Sequence, residues 1–190
     1  LKSAVSRSEW EELKSDTLPV FSGHLYIGIK YGKDGTNIAM SVAVHTDAGK
    51  IFVEGIDCRP VRAGVGWIIE FLKTADVDQV VIDGANGQQI LADAMREEKL
   101  IKPILPTVKE VIIANAVFEQ MLSAKTICHM NQPSLTQSVS NCEKRPIGSN
   151  GGFGYKSIKD TSDIALMDSM ILALWSCSES KVRKKQKISY

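Results

Sequence analysis

The sequence predicts an α/β fold, a mixed central sheet flanked by helices. Three observations carry this. Residues 25–31, 37–44 and 51–56 read as strands joined by short turns, an antiparallel meander. After residue 60 the apolar spacing shifts to helical periods separated by short apolar runs. One of those runs, Val80-Val81-Ile82, is wholly apolar and ends in Asp83, the pattern of a central strand buried on both faces. A three-strand meander followed by alternating helices and parallel strands puts helices on both sides of one sheet.

Taken in order, residues 1–20 read as a lead-in or linker segment. Within it, Ser8 followed by Glu11 has capping-box spacing and predicts a short helix over 8–14. The turn at 32–35 is flanked by glycines, and Asp47-Ala48-Gly49 is a hairpin turn. Val65, Ile68, Ile69 and Leu72 predict a helix over 65–72. Ile90, Leu91, Ala94 and Met95 form the stripe of another over 88–99. Residues 104–106 read as a short strand. Val111, Ala114, Val117, Phe118 and Met121 mark a helix over 110–124. Residues 127–129 and 135–139 predict a small hairpin or paired edge. Residues 143–159, rich in Gly, Lys and Ser, read as a mobile loop, and 160–177 as the last helix. The main domain is expected over 21–178, with a basic tail at 179–190. This element order is that of the ribonuclease-H-like fold, and a fold does not specify a function.

The chain has 190 residues, which is enough for one domain with a full core. Lys and Arg number 23 against 22 Asp and Glu, for a net charge of +1, so the average suits neither a strongly basic nor an acidic binder. The average hides an asymmetry. Lys181, Arg183, Lys184, Lys185 and Lys187 crowd the last ten residues, which hold no acid. That leaves about −4 on the rest of the chain, a basic arm on a mildly acidic body. No apolar run approaches the ~20 residues of a membrane span. No secretory signal opens the chain, and Leu1 in place of Met reads as the start of a fragment or processed chain. The four cysteines are scattered with no CxxC pair, which fits a reducing compartment better than a disulfide or zinc framework.

Asp83 is the most informative single residue. Ligands bind outside the carboxyl ends of strands in open α/β sheets, and Asp83 ends such a strand. The plainer reading is a cap on the next helix. Asp160 and Asp163, three apart in the first turn of the expected last helix, suit either capping or metal ligation. Asp168 differs, because Ile164, Ile171, Leu172 and Trp175 place it inside the apolar stripe. An acid there is costly unless it is paired or binds a metal. Acids converging from a strand end and a late helix make a hard-oxygen site for Mg²⁺ or Mn²⁺. Two such ions about 3.5–4 Å apart stabilise attacking and leaving oxygens in phosphodiester cleavage. His45 and His129 are isolated and read as structural. The glycine-rich stretch from Gly148 to Gly154 does not match a P-loop. Tyr155, Lys156 and Lys159 beside it suit contact with a DNA backbone, as do Lys184 and Lys185 in the tail, against the plainer reading of solvated surface.

Four stretches together resemble the nuclease domain of tailed-phage terminase large subunits. They are Tyr26-Ile-Gly-Ile-Lys-Tyr-Gly32, Val80-Val-Ile-Asp-Gly84, the segment from His129 through Pro133 to Asn141, and Asp160-Thr-Ser-Asp-Ile-Ala-Leu-Met-Asp-Ser-Met170. The resemblance covers roughly residues 5–178. It implies a ribonuclease-H-like fold and a metal-dependent endonuclease that cuts concatemeric double-stranded phage DNA with two Mg²⁺ or Mn²⁺ ions. It further implies a small terminase subunit and a portal protein as partners, an ATPase domain upstream in the same polypeptide, and action in the host cytoplasm. Carried onto this sequence, the metal ligands are Asp83 and Asp163, with Asp168 and Asp160 as alternatives. The family also places an Asp on the first strand, where this chain has Lys30. An ammonium cannot ligate a metal and repels one. Three explanations stand. Lys30 impairs the site, Asp34 in the next turn supplies the missing oxygen, or the domain binds DNA without cutting it. A junction resolvase or integrase of the same fold is the other enzyme class to weigh, and resolvases are usually dimers.

Overall fold

Side chains on a strand alternate between faces, and the first strand shows what that alternation sorts here. In the computed structural model, which describes residues 2–159 and 162–188 (the last eight by backbone alone), β1 spans Phe21–Tyr31. Ile27, Ile29 and Tyr31 enter one apolar cluster, while Tyr26 enters another on the opposite face. Gly28 and Lys30 share the face of Tyr26 by parity.

β2 (Asn37–Thr46) and β3 (Ile51–Pro60) continue the antiparallel meander as expected. β4 (Val77–Asp83) pairs in parallel with β1, with Lys30 opposite Asp83. A two-residue strand, β5 (Ile127–Cys128), pairs in parallel with β3. The order across the sheet is β4-β1-β2-β3-β5. Val80, Val81 and Ile82 are fully buried, as the apolar run requires. The expectation of a central strand does not hold, because β4 lies at one edge. Its outer side is covered by a single parallel bridge from Val81 to Ile104, all that forms of the strand expected at 104–106.

Helices cover both faces. α2 (Gly66–Thr74) and α3 (Gln88–Glu97) lie over the face of Ile27 and Ile29. α4 (Val108–Ala124), capped by Thr107 with a reciprocal bond to Glu110, packs with α6 (Ala165–Ile188) over the other. The backbone of the basic segment from residue 181 continues α6 to Ile188. No helix among the described residues is long and apolar enough to cross a membrane.

Four local readings are corrected. The first helix, α1, is Arg7–Glu11, and its cap is Ser6, whose hydroxyl accepts from the Glu9 amide. The Ser8–Glu11 spacing therefore caps nothing. Its neighbours Val5, Trp10 and Leu13 are buried in the core. Residues 135–139 are no strand. They belong to α5 (Pro133–Val139), with Pro133 in the first turn and Leu135 and Val139 buried four apart. The supposed loop at 143–159 is a hairpin, β6 (Cys142–Ile147) against β7 (Gly152–Ser157), with the glycine-rich stretch as its tip. The last helix starts at Ala165 and not at 160, so Asp163 precedes it.

The seat of α6 is set by small residues. A Cβ at Gly28 would lie 1.9 Å from the carbonyl oxygen of Ser169 and 2.6 Å from the amide nitrogen of Ala173. Backbone meets backbone there, so nothing can yield by rotating. Ser41 and Ser169 share a 2.7 Å hydrogen bond beside this contact, and Ser169 also donates to the Leu166 carbonyl at 2.8 Å. Gly28→Ala is therefore expected to lower stability by roughly 1–3 kcal/mol through overpacking. Urea unfolding measures this, and an unchanged midpoint would show that α6 does not sit this close.

Candidate functional site

The carboxyl end of β4 sits beside the end of β1, and the residues that close the two strands meet. Lys30 donates from Nζ to Asp83 Oδ2 at 2.7 Å, with one fifth of each side chain exposed. Charge-assisted bonds of this kind contribute about 1.5–3 kcal/mol when shielded from water. Asp83 is thus not the cap of α3, whose N-terminus at Gly87 has no side-chain cap. The turn that follows is held by glycines. Gly84 has φ 124°, and a Cβ at Gly87 would fall 2.1 Å from the Tyr31 ring. That ring therefore fills the space under the turn and fixes where Asp83 leaves the sheet.

α6 brings Asp168 to the same place, one residue before the Ser169 that touches Gly28. Burial pushes the Asp168 carboxyl up to about 7. Lys30 counters this, Asp83 adds to it, Arg145 counters it and Asp163 adds to it, in decreasing order. The apolar stripe predicted such a costly acid, and its nearest compensation is a pair of cations.

Lys30, Asp83 and Asp168 line a small cavity of about 50 Å³, walled also by Asn115, Arg145 and Tyr155. The last two come from the hairpin. Arg145 donates from Nε to the Tyr155 carbonyl at 3.3 Å. Tyr155, expected at the surface, is buried with its ring edge-on to Phe118 and Phe153. Its hydroxyl has no hydrogen-bond partner among the described residues. The sequence reading missed Arg145 because it missed the hairpin. The signal was the apolar Ile147, Phe153 and Tyr155 flanking the glycines.

The other expected residues do not line that cavity, although Asp163 is near enough to act on Asp168. Asp163 is exposed, and its Oδ1 accepts from the Ala165 amide at 3.0 Å while Oδ2 accepts from Asn37 at 2.8 Å. It does the work of a helix cap, the plainer of its two readings. Asp34 is engaged locally, accepting from the Thr36 amide at 3.1 Å and hydroxyl at 2.8 Å. Lys156 pairs with Glu143 at 3.3 Å, and Lys159 is exposed. Asp160 and the side chains of Lys184 and Lys185 lie outside the described residues. His129 is structural. Its ring stacks on Trp10 at 4.1 Å, its Nε2 donates to the Trp10 carbonyl and its Nδ1 accepts from the Asn131 amide. The run to Asn141 passes through α5, and Asn141 donates to Ser157 and Ser162.

The cavity therefore brings together Lys30, Asp83 and Asp168, while Asp163, outside its lining, is engaged by Asn37. Among the described residues, no group of three or more His, Cys, Asp or Glu side chains is placed to hold a metal ion. The acids that gather are matched by the cations Lys30 and Arg145. A cluster balanced in this way suits a divalent ion poorly.

Asp168 yields a pH test. Its folded value lies above the unfolded one near 3.8, so the folded chain holds an extra proton between about pH 4 and pH 7. Stability from this group is present below the unfolded value and falls as pH rises through the folded one. Asp168→Asn should match the wild type near pH 4 and exceed it in Tm by several degrees at pH 8. Thermal melts across that range check this, and a Tm difference that does not change with pH would contradict the assignment.

No family model matches the chain, and no curated protein matches it. Solved structures do. The HK97 bacteriophage large terminase superposes with a TM-score of 0.71 at 18% identity, over 90% of this chain and 43% of that one. This chain thus spans less than half the length of that terminase. The large terminase nuclease of thermophilic phage G20c with bound magnesium gives 0.54 at 16% identity, over 92% and 98% of the two chains. The bacteriophage SPP1 large terminase nuclease domain with bound manganese gives 0.53 at 14% identity, over 85% and 95%. A five-strand mixed sheet flanked by helices, shared over nearly the whole of these nuclease domains, gives this chain the ribonuclease-H-like fold of the large-terminase nucleases.

Proposed function

We propose that the chain is the nuclease domain of a phage DNA-packaging terminase, an endonuclease in kind, whose first-strand metal-ligand position is taken by a built-in cation. The observation that carries this is Lys30 and Asp83 in register on neighbouring parallel strands, at the carboxyl edge where this fold keeps its chemistry. The nuclease domains of G20c and SPP1 were solved with magnesium and manganese. The residues here do not fit a pair of such ions, because Lys30 occupies Asp83 Oδ2 and Asp163 is bound to Asn37. Lys30 holds one positive charge where a metal would otherwise bring two. On this reading two-ion cleavage by the chain is impaired, and Lys30 is its cause.

The same ion pair favours a second reading, a DNA-binding module of the packaging motor that keeps the fold without cutting. Both readings place the domain in a longer polypeptide with an ATPase portion, acting on double-stranded DNA in the host cytoplasm beside a small subunit and a portal. The comparison with the HK97 large terminase, of which this chain spans 43%, supports the longer polypeptide.

Plasmid cleavage with Mn²⁺ separates the readings. The wild type is expected to nick weakly, and Lys30→Asp to cut at least about tenfold faster. Calorimetry should show Mn²⁺ bound by the variant and little or none by the wild type. Equal, strong cleavage by both proteins would overturn the role given to Lys30. No cleavage by either, with Mn²⁺ bound by the variant, would favour the binding module.

A further inference from the structure

The hairpin β6–β7 lines the candidate site with Ile147, Gly154, Tyr155 and one charged side chain, Arg145. Its neighbours along the strand are accounted for. Lys144 pairs with Glu119 at 2.7 Å and lies over the Phe153 ring, and Glu143 pairs with Lys156. Arg145 alone of these turns to the cavity, which it shares with Lys30, Asp83 and Asp168. Its Nε is tied to the Tyr155 carbonyl across the hairpin, which fixes the guanidinium plane. Its terminal amines make no hydrogen bond or ion pair among the described residues. Arg145 acts on the Asp168 carboxyl through space, yet the two do not close into an ion pair.

The charges can then be paired off by contact. Lys30 and Asp83 neutralise each other at 2.7 Å. What remains is an oriented guanidinium with two open donors, facing a partly buried carboxyl across a small cavity. A planar fork with free amines matches the oxygens of a phosphate, and Arg is the residue whose geometry does this best.

We infer that the cavity between β1, β4, α6 and the β6–β7 hairpin receives a DNA backbone phosphate, with Arg145 as its principal contact. This rests on the reading of the chain as a DNA-directed domain. It adds the residue that positions the strand, and the hairpin becomes part of the site.

Fluorescence anisotropy with a short labelled DNA duplex in EDTA tests it across a salt series. EDTA removes any metal bridge, so the chain's own cations are read. Each phosphate contact contributes about −0.9 to the slope of log K against log salt. Arg145→Gln should weaken binding about threefold to tenfold and make the slope shallower by about one. Arg145→Lys keeps the charge and should restore most of the slope but only part of the affinity. Lys73→Gln on α2, whose lysine pairs with Glu98, serves as the charge control and should leave both unchanged. Melting curves of each variant confirm folding. Arg145→Gln matching the control in affinity and slope would overturn the phosphate contact and leave the terminase reading standing. A wild type that binds no duplex at low salt would overturn both.

Discussion

The contact on which the site depends is the one between Gly28 and the backbone of α6. A helix normally packs on a sheet through side chains. Here a missing side chain lets the main chain of Ser169 and Ala173 lie against the strand. Ser41, Ser169 and Gly55 continue the small-residue track, with Gly55 under Leu166. The approach puts Asp168, adjacent to Ser169, over the ends of β1 and β4. Further along the helix, Ser176 bonds Gln79, and Tyr26 bonds Asp78 and Ser180. The long helix is thus fixed to the sheet at both ends of their overlap, and the acid at its start has little freedom.

That rigidity gives the charges of the site their meaning. Acids alone at the carboxyl ends of two strands and on a facing helix would repel one another and call for metal. With Lys30 in place of an acid, the strands supply a cation and an anion already in contact. Asp168, whose burial disfavours its charged form, offsets that cost through a raised proton affinity.

Much of this was legible in the sequence, for reasons that differ by residue. The meander was visible because its turns carry their own chemistry at Asp47-Ala48-Gly49. Asp83 was visible because a wholly apolar run ended in a charge, and Asp168 because it broke an apolar stripe. The edge position of β4 was hidden, since helices on both faces and a bridge to Ile104 bury an edge as fully as a centre. The hairpin was hidden by its glycines, which resemble a loop until Tyr155 is seen edge-on to Phe118 and Phe153. Its loss took Arg145 with it. The partner of Lys30 depended on parallel register between strands about fifty residues apart, which no local pattern encodes.

The close approach at Gly28 also bears on how such a domain changes over generations. A wall built of main chain cannot be moved by small steps, since any added atom at Gly28 meets an atom that cannot turn aside. Adaptation is therefore confined to exchanging whole side chains at anchored positions, and each exchange alters chemistry more than shape. Lys30 is one such exchange. On the proposed reading, an acid at that position would change what the strand ends bind, while the framework that presents them stays the same.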